Sequence, residues 1–482
     1  MFKRSQNPAP TSTPPLVFYS TETRELAYFI PRVPGHVSMY SCGPTVYDYI
    51  HIGNLRAFIF ADILKKVLEY NGFTVNHTMN LTDFGHLTSD ADAGEDKMMK
   101  GLKREGKPVT LAAMRELSDF YIDVFKQDIA KLRIKPPSTF TRASDYLREQ
   151  IDLVKTLEEK GYTYETSDGV YFDIAKFPRY GCLGNIDIES LRAGARVEEN
   201  KEKHHPADFA VWKKGLLGWD SRWGKGFPGW HIECSAMAIA TLGKEIDIHT
   251  GGIDLGPTHH NAEIAQSECA TGKQFVRYWM HNEFLTIDNS KIGKSLGNAI
   301  SLRQLIDQGF SADDYRYFLL TSHYRSQANF SFEALRGAKQ ALFRLKRYIY
   351  EEYQNTPTEP DQTYLAKFHE HINNDLDTPQ AVALLFLIAK DDTLAPGVKC
   401  ATMQAMDVVL DIGLRDTRDS GLAAIGVIQN VTLPVTIQAL LDARDSARQN
   451  RDWSESDRLR MELNIAGYTV EDTPQGTKVS KV

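Results

Sequence analysis

The 482 residues of this chain exceed one compact domain and predict two to four, and the net charge of −7 excludes a protein coated uniformly in positive charge for nucleic acid. Five scattered cysteines argue against the disulfide framework of a secreted protein, and no apolar run approaches the roughly 20 residues that cross a bilayer. We therefore expect a soluble protein of the reducing cytoplasm, with a disordered Pro-, Ser- and Thr-rich tail at 1–15.

The first predicted unit is a strand, a turn and a helix. Val37 and Met39 alternate with polar residues as in a strand, and a helical apolar face follows until Gly72, a typical helix end. The turn between them, residues 42–54, carries a thiol, hydroxyls and an imidazole. This order resembles the first unit of a parallel α/β sheet, in which ligands bind beyond the carboxyl ends of the strands. Residues 42–54 should therefore line a pocket.

The remaining elements first alternate and then become helical. In chain order, the patterns predict a strand at 76–83, a polar mobile loop at 85–107, helices at 109–132 and 143–160, a hairpin around Asp168 and a strand at 245–249. From Phe332 one helix follows another, and Pro434 marks a break before a last piece of two short helices and an extended end. The pattern indicates a sheet split by an insertion, followed by an all-α domain and a small C-terminal piece.

Four side chains have the character of a metal site. His259 and Glu263 are four residues apart where the sequence turns helical, so both project from one helical face. Cys42 and Cys234 fall where a strand leads into a turn or helix, the edge at which an α/β sheet collects its chemistry. Two thiolates, one imidazole and one carboxylate suit tetrahedral Zn²⁺. His260 is also within helical reach of Glu263, and spacing does not separate it from His259.

Two further segments have the character of a phosphate site. His51 and Gly53 lie at a predicted helix start, where free backbone N–H groups and the helix dipole favour anions. Far downstream, Lys291 and Lys294 lie in a glycine-bearing loop that suits a polyphosphate whose charge moves during a reaction. A P-loop is excluded, because its pattern needs glycine at the position of Asp288.

These segments together resemble the signature motifs of class I cysteinyl-tRNA synthetases, and the resemblance extends from residue 16 to the end of the chain. The motifs are Cys-Gly-Pro-Thr-Val-Tyr-Asp at 42–48, His-Ile-Gly-Asn at 51–54, Trp-His-Ile-Glu-Cys-Ser-Ala-Met at 230–237, His-His-Asn-Ala-Glu-Ile-Ala-Gln-Ser at 259–267 and Lys-Ile-Gly-Lys-Ser at 291–295. Asn54 replaces the family's last histidine in the second motif, and Ile292 with Gly293 replaces Met-Ser in the last. Asparagine donates a hydrogen bond but carries no positive charge, and Gly293 should loosen its loop.

The resemblance implies a fold and a domain organisation. The fold is α/β, with a Rossmann-like parallel-sheet catalytic domain split by an insertion. The implied segments are two catalytic halves at 16–107 and 227–288, the insertion at 108–226, a loop and stem-contact region at 289–331, an all-α tRNA-binding domain at 332–430, and a small C-terminal anticodon-binding domain at 431–482.

The resemblance also implies a reaction. Cysteine and ATP would give cysteinyl-adenylate and pyrophosphate, and cysteine would then pass to the terminal adenosine of tRNA(Cys), with Mg²⁺ accompanying the ATP. No protein residue need act as nucleophile. One Zn²⁺ per chain would prefer the substrate thiolate to the hydroxyl of serine. We expect the chain to act as a monomer, away from membranes.

The resemblance assigns residues to each part of this site. The zinc ligands would be Cys42, Cys234, His259 and Glu263. The cysteine pocket would be lined by Thr82 and Trp230. The ATP site would comprise Thr45, His51, Asn54, Gly252, Asp254, Lys291, Lys294 and Ser295.

A basic helix near the C-terminus is the candidate tRNA contact. Arg444, Arg448 and Arg451 share a predicted helical face, and Trp453 follows, an arrangement suited to phosphates and an unstacked anticodon base. The alternative is a solvated, salt-bridged helix, because acidic residues interleave with the arginines at Asp442, Asp445 and Asp452. The polar cluster at 373–379 is interpreted as capping and turn chemistry.

Two other functions are consistent with parts of the pattern. One is a ligase that forms the same adenylate but passes cysteine to a small amino sugar, and the C-terminal segment at 431–482 argues against it. The other is a non-catalytic RNA-binding paralogue that lost activity through the departures at Asn54 and Gly293. Cysteine-dependent exchange of pyrophosphate into ATP would separate this paralogue from an enzyme.

Overall fold

The computed structural model describes residues 14–85, 96–184, 201–293, 297–352, 358–416, 433–473 and 476–481. The chain divides into two compact units, which are Met1–Arg336 with Ala366–Val382, and Gly337–Leu365 with Ala383–Val482. In the ranges described, a search for a helix both long and apolar enough to cross a membrane finds none.

The strands and helices are numbered separately in chain order. The strands are β1 (Val17–Ser20), β2 (Glu25–Tyr28), β3 (His36–Ser41), β4 (Thr74–Leu81), β5 (Thr139–Arg142), β6 (Thr163–Thr166), β7 (Gly169–Phe172), β8 (Phe209–Trp219), β9 (Gly226–Pro228), β10 (Ile246–Gly252), β11 (Val276–Asn282), β12 (Leu285–Ile287), β13 (Ser290–Lys291), β14 (Ala328–Phe330), β15 (Tyr468–Thr473) and β16 (Gly476–Lys481). The α-helices are α1 (Ile52–Tyr70), α2 (Lys97–Arg104), α3 (Leu111–Lys131), α4 (Leu147–Glu159), α5 (Trp230–Leu242), α6 (Asn261–Thr271), α7 (Leu302–Asp307), α8 (Ala312–Leu320), α9 (Phe332–Glu352), α10 (Gln362–Asn373), α11 (Thr378–Lys390), α12 (Pro396–Leu410), α13 (Val435–Gln449) and α14 (Trp453–Ile465).

A five-stranded parallel sheet forms the centre of the first unit, as predicted. Its spatial order is β11, β10, β3, β4, β5, and every neighbouring pair is parallel. The chain moves outward from β3 in one direction and from β10 in the other, so the loops that leave these two strands diverge. A crevice opens at such a reversal point, beyond the carboxyl ends of the strands.

Helix α1 connects β3 to β4 and begins where the sequence predicts. His51 is its N-cap, and the backbone N–H of Asn54 donates to His51 Nδ1 at 3.3 Å. The helix ends at Asn71, and Gly72 follows with a φ of +85°, a left-handed conformation that glycine adopts without strain. The N-terminal end of α1 therefore faces the carboxyl edge of the sheet.

The insertion between β5 and β10 carries a second, antiparallel sheet. Its order is β6, β7, β8, β9. Helices α4 and α5 share a buried core with it, to which Val154, Phe172, Trp212 and Ile232 belong. The insertion is thereby joined to the helix that carries the second cysteine motif.

One prediction for the segment that follows β4 is wrong. Residues 97–104, expected to belong to a mobile loop at 85–107, form helix α2, capped by Asp96, whose carboxylate accepts from the N–H of Met98 at 2.8 Å. Met98 and Leu102 are completely buried. Met98 and Leu102 lie one helical turn apart, so their burial stabilises α2. The many Lys and Gly residues around them led to the prediction of a loop. The part of the predicted loop at 86–95 lies outside the described residues.

The second unit is helical and ends in a hairpin. Helix α9 begins in the first unit and continues into the second, and its predicted apolar face is buried at Leu335, Ala338, Leu342 and Leu345. Near the C-terminus, α13, α14 and the β15–β16 hairpin share a small core of Ile437, Leu441, Leu463, Tyr468 and Val470. The domain boundaries given above stay a prediction.

Candidate metal and substrate site

Four predicted side chains meet at the carboxyl edge of the central sheet. Cys42 directly follows β3, Cys234 lies in the second turn of α5, and His259 and Glu263 flank the start of α6. Their four ligand atoms all lie within 4.8 Å of one another. Three of the side chains are buried and that of Cys42 is half-buried, so the cluster reaches the surface at one point.

Local backbone geometry places each of these residues. His259 lies in a π-helical turn, Gly256–His260, that leads into α6, and its Nε2 is 3.1 Å from Oε1 of Glu263. Cys42 is followed by Gly43, where a Cβ would lie 1.7 Å from the carbonyl oxygen of Asn80. Only glycine allows β3 and β4 to approach so closely beside the thiol.

The cluster carries paired charges inside the protein. Burial opposes ionisation of Cys234, but hydrogen bonding with Cys42 and the charge of His259 lower its pKa to about 6. Burial likewise opposes ionisation of Glu263, but His249 and His259 lower its pKa to about 2. The pKa of His259, which burial lowers, is raised to about 10 by Cys234 and Glu263. The thiolate and the carboxylate stabilise a positive charge at His259, and they would stabilise a bound metal cation in the same way once His259 has released its proton.

The structure also brings His260 to the same carboxylate. Nε2 of His260 lies 3.3 Å from Sγ of Cys42 and 3.9 Å from Oε1 of Glu263. Cys42, His249, His260 and Glu263 therefore form a second group whose ligand atoms lie within 4.8 Å of one another. Proximity alone does not decide between His259 and His260.

Sequence reasoning missed three further histidines around the cluster. Nε2 of His249, in β10, lies 2.9 Å from Oε2 of Glu263, and its ring stacks on Trp279. His231 lies 2.9 Å from His259, and His281 lies 2.7 Å from His260, nitrogen to nitrogen. For His249 and His281 the available signal was a histidine in each of two apolar strands, β10 and β11, whose carboxyl ends form the edge where a parallel sheet binds ligands.

The two residues predicted for the cysteine pocket lie beside the cluster. The ring of Trp230 is 4.4 Å from that of His259, centroid to centroid. Thr82 follows β4, and its hydroxyl donates to Oε2 of Glu233 at 2.9 Å. Glu233 is fully buried, and its burial raises its pKa well above the usual range. Thr82 is thus held at the edge of the sheet by a second buried acid that the sequence did not reveal.

Four of the predicted ATP residues, Thr45, His51, Gly252 and Asp254, lie at the same edge of the sheet or beside it. Thr45 forms an isolated parallel bridge with Thr82, and His51 forms an antiparallel bridge with Ser301. Gly252 ends β10, and a Cβ there would lie 2.4 Å from Oδ1 of Asp254. The strand end thus brings the backbone close to the carboxylate expected at the ribose.

The glycine-bearing loop that begins at Lys291 lies against the start of α1. Lys291 is exposed in β13, and a Cβ at Gly53 would lie 2.9 Å from Cδ1 of Ile292. Asn298 ties the ends of the loop together, accepting from the N–H of Gly293 and donating to the carbonyl of Lys291, both at 2.9 Å. The other two loop residues predicted for the ATP site, Lys294 and Ser295, lie outside the described residues.

The prediction that Arg444, Arg448 and Arg451 share one helical face is wrong. Arg444 is only 1% exposed, within α13. Arg451 lies beyond the end of α13 and has a φ of +57°, so it is not part of the helix. Arg448 remains, and its guanidinium lies 5.7 Å from the ring centroid of Trp453, a side chain that is 57% exposed. The spacing of the three arginines along the sequence does not show which of them packs inward.

The polar cluster at 373–379 has the structural role that the sequence indicated. The carboxylate of Asp375 accepts from the N–H of Tyr19 at 2.9 Å, the hydroxyl of Tyr324 at 2.6 Å and Nε of Arg325 at 2.6 Å. Asp377 accepts from the N–H of Gln380 at the start of α11. Turn and capping chemistry is therefore confirmed.

Comparison with known proteins places this geometry among the tRNA synthetases. Residues 28–340 match the family model of the class I (C) tRNA synthetase catalytic domain, and residues 430–479 match that of the cysteinyl-tRNA ligase anticodon binding domain. A cysteine–tRNA ligase 1 of Burkholderia lata is 43% identical over 96% of this chain and 97% of its own length. A cysteine–tRNA ligase of Treponema denticola is 40% identical over 97% of this chain and 100% of its own.

Solved structures support the fold. A methionyl-tRNA synthetase of Mycobacterium tuberculosis in complex with methionyl-adenylate is 13% identical, with a TM-score of 0.58 over 81% of this chain and 94% of that chain. A second structure from that organism, bound by methionyl-adenylate, gives a TM-score of 0.56 at 13% identity over 82% of this chain and 95% of that chain. At this identity the likeness shows a shared architecture and nothing about the substrate.

Proposed function

The chain belongs to the cysteinyl-tRNA synthetase family and ligates cysteine to tRNA at the expense of ATP, and we propose that it selects cysteine through one Zn²⁺ held at the four-residue cluster. The proposed ligands are Cys42, Cys234, His259 and Glu263. The full-length match, which includes the anticodon binding domain, favours tRNA over an amino sugar as the acceptor.

The donor set is the observation that carries the zinc proposal. Two sulfurs, one imidazole nitrogen and one carboxylate oxygen, drawn from three separate parts of the chain, converge within 4.8 Å. This combination fits Zn²⁺, which binds thiolate, imidazole and carboxylate in tetrahedral sites. Bound there, the ion would supply a soft Lewis acid that prefers the thiolate of cysteine to the hydroxyl of serine. A pocket of ordinary hydrogen bonds would separate these two amino acids less well.

His259 is the proposed ligand rather than His260 because of its partners. His259 belongs to the group that contains both thiols, Cys42 and Cys234, together with Glu263. The group around His260 contains one of these thiols and a second imidazole, that of His249. Burial, together with the neighbouring imidazoles, lowers the pKa of His260 well below its usual range, and we assign it as a neutral side chain beside Cys42.

The remaining pocket residues would orient cysteine for attack on ATP. We assign the indole of Trp230 to one wall of the pocket and Thr82, held by Glu233, to its floor. The substrate carboxylate attacks the α-phosphate, so the protein contributes positioning and stabilisation of negative charge rather than a nucleophile.

The ATP site is proposed around the start of α1. The N-terminus of this helix favours negative charge through its dipole, and the side chains of His51 and Asn54 lie beside it. Asp254 with Gly252 is assigned to the ribose, and Thr45, Lys291, Lys294 and Ser295 complete the site, with Mg²⁺ accompanying ATP. Asn54 supplies hydrogen bonds without charge, so the cationic contribution falls to the lysines.

The test is metal content together with amino-acid selectivity. Wild type should contain one zinc per chain and catalyse cysteine-dependent pyrophosphate exchange into ATP with little response to serine. The Cys234→Ser variant should lose the zinc, and its preference for cysteine over serine should collapse. Cys269→Ser, which alters a buried thiol outside the cluster, is the control and should behave as wild type. Full zinc in Cys234→Ser would contradict the proposal.

A further inference from the structure

A tyrosine lies directly behind the proposed metal site. Tyr40 is in β3, two residues before Cys42, and is completely buried. It belongs to the same packed cluster as Cys234, and its ring lies 5.1 Å from that of His249, centroid to centroid. The side chain therefore packs between the central sheet and the helix that carries Cys234.

The hydroxyl of Tyr40 lacks a conventional partner. Within the described part of the chain, Oη of Tyr40 has no hydrogen-bond partner, although it is buried from water. Cys234, which packs in the same buried cluster, is a neighbouring side chain whose sulfur can accept a hydrogen bond from it. A buried hydroxyl without a partner destabilises a protein, and phenylalanine would fill the same space without that cost. A role in packing alone would therefore not require the hydroxyl.

On the basis of the proposed zinc site, we propose that Oη of Tyr40 donates a hydrogen bond to Sγ of the metal-bound Cys234 thiolate. Tyrosine is protonated at neutral pH, and a thiolate accepts hydrogen bonds. Such a bond withdraws electron density from the sulfur, so the sulfur donates less to the ion and the ion attracts the substrate thiolate more strongly. Partners of this kind around metal ligands tune the metal. Tyr40 is thus a positioning residue and touches no substrate.

The test replaces zinc by Co²⁺ and compares Tyr40→Phe with wild type. Loss of the hydrogen bond leaves the thiolate richer in electrons, so the near-ultraviolet sulfur-to-cobalt charge-transfer band should move to longer wavelength. The control is Tyr350→Phe, which removes a buried hydroxyl that donates to the carbonyl of Gly413 in the second unit. Its cobalt spectrum should equal that of wild type.

A thermal measurement separates this role from a structural one. With the metal removed by a chelator, Tyr40→Phe should unfold at a midpoint no lower than that of wild type, whereas Tyr350→Phe should unfold at a lower one. An unshifted band in Tyr40→Phe, or a Tyr40→Phe protein that fails to fold, would overturn the proposal. A wild-type protein that binds no Co²⁺ would instead contradict the metal site itself.

Discussion

Nε2 of His249 lies 2.9 Å from Oε2 of Glu263, so a histidine of β10 holds one oxygen of the carboxylate while Nε2 of His259 lies 3.1 Å from the other. Both side chains are completely buried. The pairing orients one oxygen of Glu263 toward the proposed metal position, where it lies 3.8 Å from Sγ of Cys42. A partner that orients a ligand in this way contributes to metal affinity without touching the metal.

His249→Asn should therefore weaken zinc binding. We expect the dissociation constant for zinc to rise by about 10- to 100-fold, measured by competition with a coloured chelator. His77→Asn is the control, because His77 is also buried but lies 2.8 Å from the hydroxyl of Ser41, outside the cluster. An equal loss of affinity in both variants would show a general effect of removing a buried imidazole.

Gly43→Ala should disrupt the proposed zinc site because it forces the backbones of β3 and β4 apart. A methyl group there would lie 1.7 Å from the carbonyl oxygen of Asn80, so β3 and β4 must separate next to Cys42. We expect a loss of about 3 kcal/mol or more in the free energy of unfolding, measured in urea, together with loss of bound zinc. Gly337→Ala, in open space on α9, should be neutral or stabilising by about 1 kcal/mol. Equal changes in unfolding free energy and zinc content in the two variants would show that the close approach of β3 and β4 at Gly43 is not what holds the site.

A buried carboxylate in α3 should make stability depend on pH. Burial raises the pKa of Asp128 to about 6, whereas an unfolded aspartate titrates near 3.9. The folded protein retains this proton where the unfolded chain has released it, so stability should fall as pH rises from about 4 to about 6.

Asp128→Asn should remove that fall. We expect the variant to exceed wild type by about 1 to 2 kcal/mol in free energy of unfolding at pH 7, after allowance for partial solvent screening, and to equal it at pH 4. Asp123→Asn, at an exposed position on the same helix, should show no such difference. A gain that is the same at both pH values would rule out the buried carboxylate as its cause.

Arg448 and Arg444 should differ in what their removal affects. Arg448 lies over Trp453, which is exposed, so Arg448→Ala should lower kcat/KM for tRNA in aminoacylation by about 10-fold and leave pyrophosphate exchange unchanged. Arg444→Ala should instead lower the melting temperature of the second unit, because this arginine is buried. A fall in kcat/KM for tRNA in Arg444→Ala at an unchanged melting temperature would contradict this assignment.

Local patterns predicted the parts of this protein that depend on local forces. The strand and helix around 37–72 follow from residue alternation and helical spacing, and the four donor residues follow from their positions at strand ends. The contact between His249 and Glu263, and the burial of Tyr40, depend on strand order in the sheet, which spacing along the chain does not reveal. The prediction that Arg444 contacts tRNA conflicts with its burial, because the charge pattern alone does not show which face of a helix packs inward.

Zinc K-edge X-ray absorption of the purified protein, alone and with cysteine or serine added, tests whether zinc binds the substrate thiol. We predict two sulfur neighbours of zinc at about 2.3 Å in the protein alone, with nitrogen or oxygen at about 2.0 to 2.1 Å. Addition of cysteine should raise the number of sulfur neighbours to three, and addition of serine should leave it at two. A sulfur count that does not change with cysteine would contradict direct recognition of the substrate thiol by zinc.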